Sequence, residues 1–206
     1  MFQKTVLFII TAALLCTLPI QAQVGVKGSL NLSDFHVSEK MVGSEAKKMA
    51  GFSGGLVFAL PLNELFSFRG ELIYSQKGQK YDIVSTEDAY VKTRLGYLEL
   101  PLLLQINVPA SSSVKPLFLA GGYGAYLLSA KMSGLYNEES NDVKDSFKKL
   151  DFGLIIGAGL QLDVGESGSI LIDVRYNLGL SNINDIQEST TQMKNRGISF
   201  SAGFLF

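Results

Sequence analysis

The sequence predicts an all-β protein: an eight-stranded antiparallel up-and-down transmembrane β-barrel. Three observations carry this. Eight strand-like segments appear, and in all but the fifth apolar residues alternate with small or polar ones, in several for longer than the five or six residues of an ordinary globular strand. The connections alternate strictly between short and long. Glycine is abundant, at 21 residues, and only 18% of the chain is charged, yet past the first 22 positions no apolar run approaches the roughly 20 residues of a membrane helix.

The chain opens MFQKTVLFIITAALLCTLPIQAQ. One positive residue, Lys4, precedes a short apolar run, and Ala22 stands at its end. That pattern predicts a cleaved export signal at 1–22, which leaves 23–206 as one barrel domain. Cys16, the only cysteine, falls inside the signal. Leu14 and Leu15 stand where a lipid-attachment signal needs small residues, so Cys16 is read as part of the discarded segment. The mature chain then has no disulfide. Of 18 basic residues Lys4 is lost with the signal, against 19 acidic ones. With no basic excess, nucleic acid is excluded as a partner.

Strands follow in order. VGVKGSLNLS sets Val24, Val26, Leu30 and Leu32 against Lys27, Ser29 and Asn31. GFSGGLVFAL carries Phe52, Leu56, Phe58 and Leu60 on one parity. FSFRGELIYSQKG opposes Phe66, Phe68, Leu72 and Tyr74 to Ser67, Arg69, Glu71 and Ser75. GYLELPLLLQINV sets its even-numbered leucines against Glu99, Pro101, Gln105 and Asn107. PLFLAGGYGAYLLSA is apolar on both parities, and its faces stay unassigned. DFGLIIGAGLQLDV and SILIDVRYNLGLS place Asp151, Asp163, Asp173 and Arg175 opposite their aliphatic residues. ISFSAGFLF ends the chain, with Ile198, Phe200, Phe204 and Phe206 on one face.

Connections at Pro61–Glu64, Pro109–Val114 and Gly165–Gly168 are tight, whereas 34–50, 77–93, 133–149 and 184–195 are long and polar. Outer-membrane barrels have short periplasmic turns, long outer loops and an even strand number. Both termini then lie on the periplasmic side. The polar parity mixes glycine and serine with charges of both signs. That suits a crowded eight-strand interior better than a solvated exterior. Lys27, Arg69, Glu71, Glu99, Asp163, Asp173 and Arg175 are therefore expected inside, as a polar network. Tyr74, Tyr97, Tyr123 and Tyr176 are candidates for interfacial girdles, or are ordinary strand tyrosines.

VGVKGSLNLS, GELIYSQKG and YLELPLLLQ, with the glycine-rich fifth strand and the terminal Phe, resemble the outer-membrane β-barrel domain proteins of the Bacteroidetes, often labelled porin-like or PorT-like. The resemblance covers the mature chain. It implies an eight-stranded barrel in the cell outer membrane and no particular activity. By the same likeness Ser199, Phe204 and Phe206 match a C-terminal signal read by the outer-membrane assembly machinery.

No catalytic, metal or cofactor site is expected. His36, the only histidine, opens the first long connection with Ser33 and Ser38 nearby, and nothing fixes a nucleophile–base geometry. Glu138, Glu139, Asp142 and Asp145 form an acidic run, and Lys47 and Lys48 a basic pair able to meet lipid phosphates; solvated charge is the simpler account of each. The expected role is structural or interactive: envelope integrity, loop-mediated binding of an unidentified ligand, or support of another envelope machine. Outer-membrane lipid and lipopolysaccharide surround the barrel. The alternatives are a narrow channel for small solutes, a rim enzyme acting on lipid, and a soluble ligand-binding barrel of the periplasm.

Overall fold

The computed structural model describes residues 22–38, 44–83, 90–110, 113–134, 137–186 and 190–206. The expected export signal lies outside them except for Ala22. The described strands are β1 Gln23–Val37, β2 Ser44–Pro61, β3 Phe66–Ile83, β4 Tyr90–Asn107, β5 Val114–Gly134, β6 Asn137–Asp142, β7 Leu150–Asp163, β8 Ser169–Gly179 and β9 Met193–Leu205. All pairings are antiparallel, and they run β4-β3-β2-β1-β9-β8-β7-β5 with a further β4–β5 pairing that closes a ring of eight. β6 stands outside the ring and extends β5 through Lys131↔Asp142 to Gly134↔Asn137.

Closure uses the last strand. β9 pairs with β1 from Gly25↔Leu205 to Val37↔Met193, and the Phe206 N–H donates to the Val24 carbonyl at 2.8 Å. The terminal residue is thus tied into the wall. The turn between β2 and β3 is set by Asn63, whose side-chain oxygen accepts from the N–H groups of Leu65 and Phe66. The β7–β8 turn places Gly165 at φ 58° and Gly168 at φ 128°, values that suit glycine.

The period-two pattern becomes an inside-out barrel. Leu30, Phe52, Phe58, Leu102, Ile156, Ile172 and Phe200 are exposed on the outer wall, while Arg69, Glu71 and Arg175 are buried inside. A monomer in water rarely exposes a contiguous apolar patch above a few hundred Å², and this one circles the molecule. The wall therefore faces hydrocarbon. β5, unassigned from sequence, has apolar residues on both faces: Leu117, Leu119 and Leu127 point inward, and Phe118, Tyr126 and Leu128 outward.

Two expectations need correction. Much of the long connections is strand: β1 runs to Val37, β3 and β4 pair as far as Asp82↔Tyr90, and β5 reaches Gly134. A backbone ladder needs no apolar face, so the sheet continues beyond the greasy band. Register shifts between Lys48 and Ser53 on β2, and opposite Gly96/Tyr97 on β5, also reset the parity that marks a strand. The tyrosines divide as well. Tyr74 and Tyr176 lie on the outer wall, but Tyr97 and Tyr123 are buried in the lumen. The Tyr74 ring lies 6.0 Å from that of Phe52 and its hydroxyl end covers Gly96, where a Cβ would come within 2.7 Å of it.

Leu102 lies midway along the outward residues of β4 and is 47% exposed. Leu102→Arg is expected to lower stability in lipid vesicles by about 2–4 kcal/mol, measured by denaturant titration of the inserted protein. A loss near zero would mean that this wall meets water.

Candidate functional site: the filled lumen and its mouths

The inward residues form layers along the barrel. At the terminal end is an open vestibule of about 860 Å³, lined by Ser67, Gln105, Asn107, Lys115 and Asp163 among others. Strands β1, β3 and β8 then place five charges at one level. Arg175 binds Glu71 with two parallel hydrogen bonds, Nη1 to Oε2 at 2.9 Å and Nη2 to Oε1 at 2.7 Å, the fork geometry in which guanidinium and carboxylate bind most strongly. Its Nε also donates to Asp173 at 2.7 Å. Lys27 approaches Glu71 at 3.2 Å and Asp173 at 3.8 Å. Arg69 lies 3.0 Å from Glu71 and 3.3 Å from Asp173. Three cations thus share two carboxylates.

A second cluster lies nearer the long connections. Lys77 stands 3.1 Å from Glu99 and 3.7 Å from Asp151. Its ammonium also sits over the Tyr123 ring at 4.1 Å and the Tyr97 ring at 5.4 Å. It makes no aligned hydrogen bond, so the ring faces and the two carboxylates together replace its water. Asp151 is well supplied: Tyr123 donates to it at 3.1 Å, Asn195 at 2.9 Å, and Ser181 to its other oxygen. Here one cation faces two carboxylates. The two clusters are unbalanced in opposite senses, and together their eight charges cancel.

Between the clusters lies a cavity of about 30 Å³ bordered by Asn31, Ser53, Ser75 and Ser199, room for a water or two. Beyond the second cluster buried apolar residues predominate: Phe35, Leu95, Leu127, Phe147 and Ile183 pack together, with Gln79 and Thr93 buried among them. Phe147 follows the 3₁₀ turn Lys144–Ser146 and is held by the bridge Phe147↔Asn184. The connection after β6 thereby folds a ring into the barrel mouth.

Of the residues expected inside, Lys27, Arg69, Glu71, Asp173 and Arg175 form the first cluster, and Glu99 belongs to the second. Asp163 is inward too, but apart from both clusters. It sits at the terminal mouth, 2.5 Å from Lys115 with both side chains partly exposed, and takes a hydrogen bond from Ser169. Parity alone cannot place a residue along the axis. Lys77 stands where the third strand segment meets the connection expected at 77–93, and β3, by continuing to Ile83, fixes it opposite Asp151. Ser199 faces the lumen and accepts from Asn177 at 3.0 Å. Phe204 and Phe206 pack edge to face on the outer wall at 5.1 Å. His36 is exposed on the outer face, whereas Ser33 is buried inside and bonded to the Gly78 backbone. The Ser38 hydroxyl accepts from the Gln192 N–H. These three do not converge. Glu138 and Glu139 lie in β6, of whose side chains there nothing is described.

Residues 14–185 match the model of a family described as outer membrane protein beta-barrel domain. The chain belongs to that family. Membership places it in an outer membrane. A comparison with curated proteins gives no match. Among solved structures the barrel is similar to OprG of Pseudomonas aeruginosa, at 15% identity and a TM-score of 0.52, covering 90% of this chain and 95% of that one. It is also similar to the Neisserial surface protein A, at 16% identity and a TM-score of 0.50, covering 89% and 97%. At such identities the likeness concerns fold alone.

Glu71 anchors the first cluster. Glu71→Ala leaves three buried cations with one carboxylate, and a loss of about 3–5 kcal/mol is expected, against less than about 1 kcal/mol for Asp163→Ala at the wet mouth. Unfolding of both variants in one lipid system checks the contrast.

Proposed function

We propose that this outer-membrane barrel is non-conducting and does its work with its exterior: it supports the envelope and presents the long hairpins for binding. The observation that carries this is the filled lumen, with two charge clusters and an apolar cap in series. Beyond the open vestibule the described lumen is occupied by the buried side chains of Arg175 and Glu71 and by the Phe147 cap. This weighs against the narrow channel. The apolar outer wall weighs against a soluble periplasmic barrel. The separation of His36 from Ser33 across the wall weighs against a rim hydrolase built on them.

In the same reading the hairpins beyond β1, β3, β5 and β8 face outward, and both termini face the periplasm after removal of the signal at 1–22. The edge-to-face pair Phe204–Phe206 on the closing strand supports its use as the signal for the assembly machinery. The three quoted motifs support a place within the porin-like or PorT-like group of the Bacteroidetes.

Purified wild-type protein in planar bilayers is expected to show no steady single-channel steps. Steady conductance would overturn the reading. Deleting Phe206 should lower the yield of membrane-inserted barrel in cells more than it lowers refolding in detergent, and equal loss in both assays would remove its role in assembly.

A further inference from the structure

The outer wall carries one charged patch that the filled lumen does not explain. It lies where β2, β3, β4 and β5 run past the apolar band. In register, Lys47 pairs with Lys80 and Lys80 with Lys92, which sets three cations in one row across three strands. Two residues along β4 towards the band, Arg94 pairs with Lys131 of β5 in a second row. Paired residues share a face of the sheet, at Cα separations of about 4.5–5.5 Å. Arg94 and Lys131 are exposed. Like charges directly opposite destabilise a sheet, so two rows of them on one face need a compensating partner.

Among the described residues, little of that compensation comes from carboxylates. Asp82 binds Lys47 at 2.6 Å and Lys80 at 2.9 Å, and those hydrogen bonds, Lys47 first, hold its carboxyl below the usual range. Lys80 also lies over the Tyr90 ring at 4.7 Å. Asp142 stands opposite Lys131 in register, but its Oδ1 accepts from the Lys144 N–H at 2.9 Å. Among the described residues no carboxylate forms an ion pair with Lys92, Arg94 or Lys131. Partial burial, and then the charges of Arg94 and Lys80, push the Lys92 ammonium down. On the β1–β9 side the matching charges, Asp34 and Arg196, bind each other.

The patch has a fixed relation to the bilayer. On the same outward face of β4 the band begins at Leu98, four residues from Arg94 or about 13 Å along the strand. On β5 it begins at Leu128 and Tyr126, and all three residues are exposed on the outer wall. The cations therefore face sideways, at the level where acyl chains end and headgroups start. A soluble partner would approach from the open end. What lies against the wall at that level is the headgroup of a neighbouring lipid.

The geometry points to a lipid-phosphate site formed by Lys92, Arg94 and Lys131, with Lys80 beside them, which holds the phosphate groups of the lipid in the loop-side leaflet against the β3–β4–β5 wall. Guanidinium and ammonium groups bind phosphate through charge-assisted hydrogen bonds, and basic patches beside membrane spans bind anionic headgroups. This rests on the reading that the hairpin side faces outward, where the phosphorylated lipid is lipopolysaccharide.

The test uses the full barrel refolded into phosphatidylcholine vesicles, where insertion is scored first; failure to insert counts against the membrane reading itself. Lipopolysaccharide is then added, either intact or with its lipid A dephosphorylated, and thermal unfolding is followed by the gel shift between folded and unfolded forms. Intact lipid should raise the wild-type midpoint by several degrees and the dephosphorylated lipid should not. The Lys92→Gln/Arg94→Gln/Lys131→Gln variant should lose most of the rise, and Lys194→Gln, on the other side of the barrel, should keep it. An equal rise in the triple variant overturns the site. A rise of the same size with inorganic phosphate alone overturns the lipid assignment in favour of a simple anion site. If the triple variant does not fold, salt decides with wild type: the difference between the two lipids must vanish near 1 M NaCl, where the screening length is about 3 Å, and its persistence overturns the proposal.

Discussion

In hydrocarbon no water can take up a free N–H or carbonyl, so a sheet that crosses a membrane must close on itself. Every other feature of this chain depends on that closure. It requires β9 to find β1, and the ladder from Gly25↔Leu205 to Val37↔Met193 does so. It makes the last residue part of the wall, since the Phe206 N–H bonds to Val24. It also divides each strand into a face that sees lipid and a face that sees seven other strands, which is why leucine and phenylalanine lie outside while lysine, arginine and glutamate lie within.

Burying eight charges in so narrow a space needs pairing, because an isolated ion in such a medium is far too unstable. The chain meets this with shared partners. Glu71 serves Lys27, Arg69 and Arg175 at once. Lys77 rests on aromatic faces where carboxylates alone do not align with it. The remaining volume is filled by aliphatic residues from the polar parity, such as Leu103, Leu171 and Leu205, so the interior is less polar than small residues and charges alone would make it.

The fold was legible because the period of two survives in nearly every strand. The inward facing of Arg69, Glu71, Asp173 and Arg175 follows from that alternation alone. Their grouping does not. Which residues meet across the lumen depends on strand stagger, which no local pattern records, so Glu99 joins Lys77 and Asp151 while Asp163 is left at the mouth. The strand extensions were hidden because polar residues on both faces read as loop. The basic rows on β3, β4 and β5 were hidden for the same reason: only the register brings Lys80, Lys92, Arg94 and Lys131 to one face.

The bidentate pair of Glu71 and Arg175 joins residues 104 apart in the chain. Glu71 arrives with the third strand and Arg175 with the seventh strand of the ring, and until the later one is in place the carboxylate has only part of its shell. A half-built sheet therefore carries underpaired charge on the face that will become the lumen, a face poorly suited to contact with lipid. Strand-by-strand insertion is disfavoured at every intermediate stage, and the final closure relieves the deficit all at once. The ion cluster thus couples strands far apart in the chain: its full pairing exists only where the third and seventh strands of the ring face each other across the lumen.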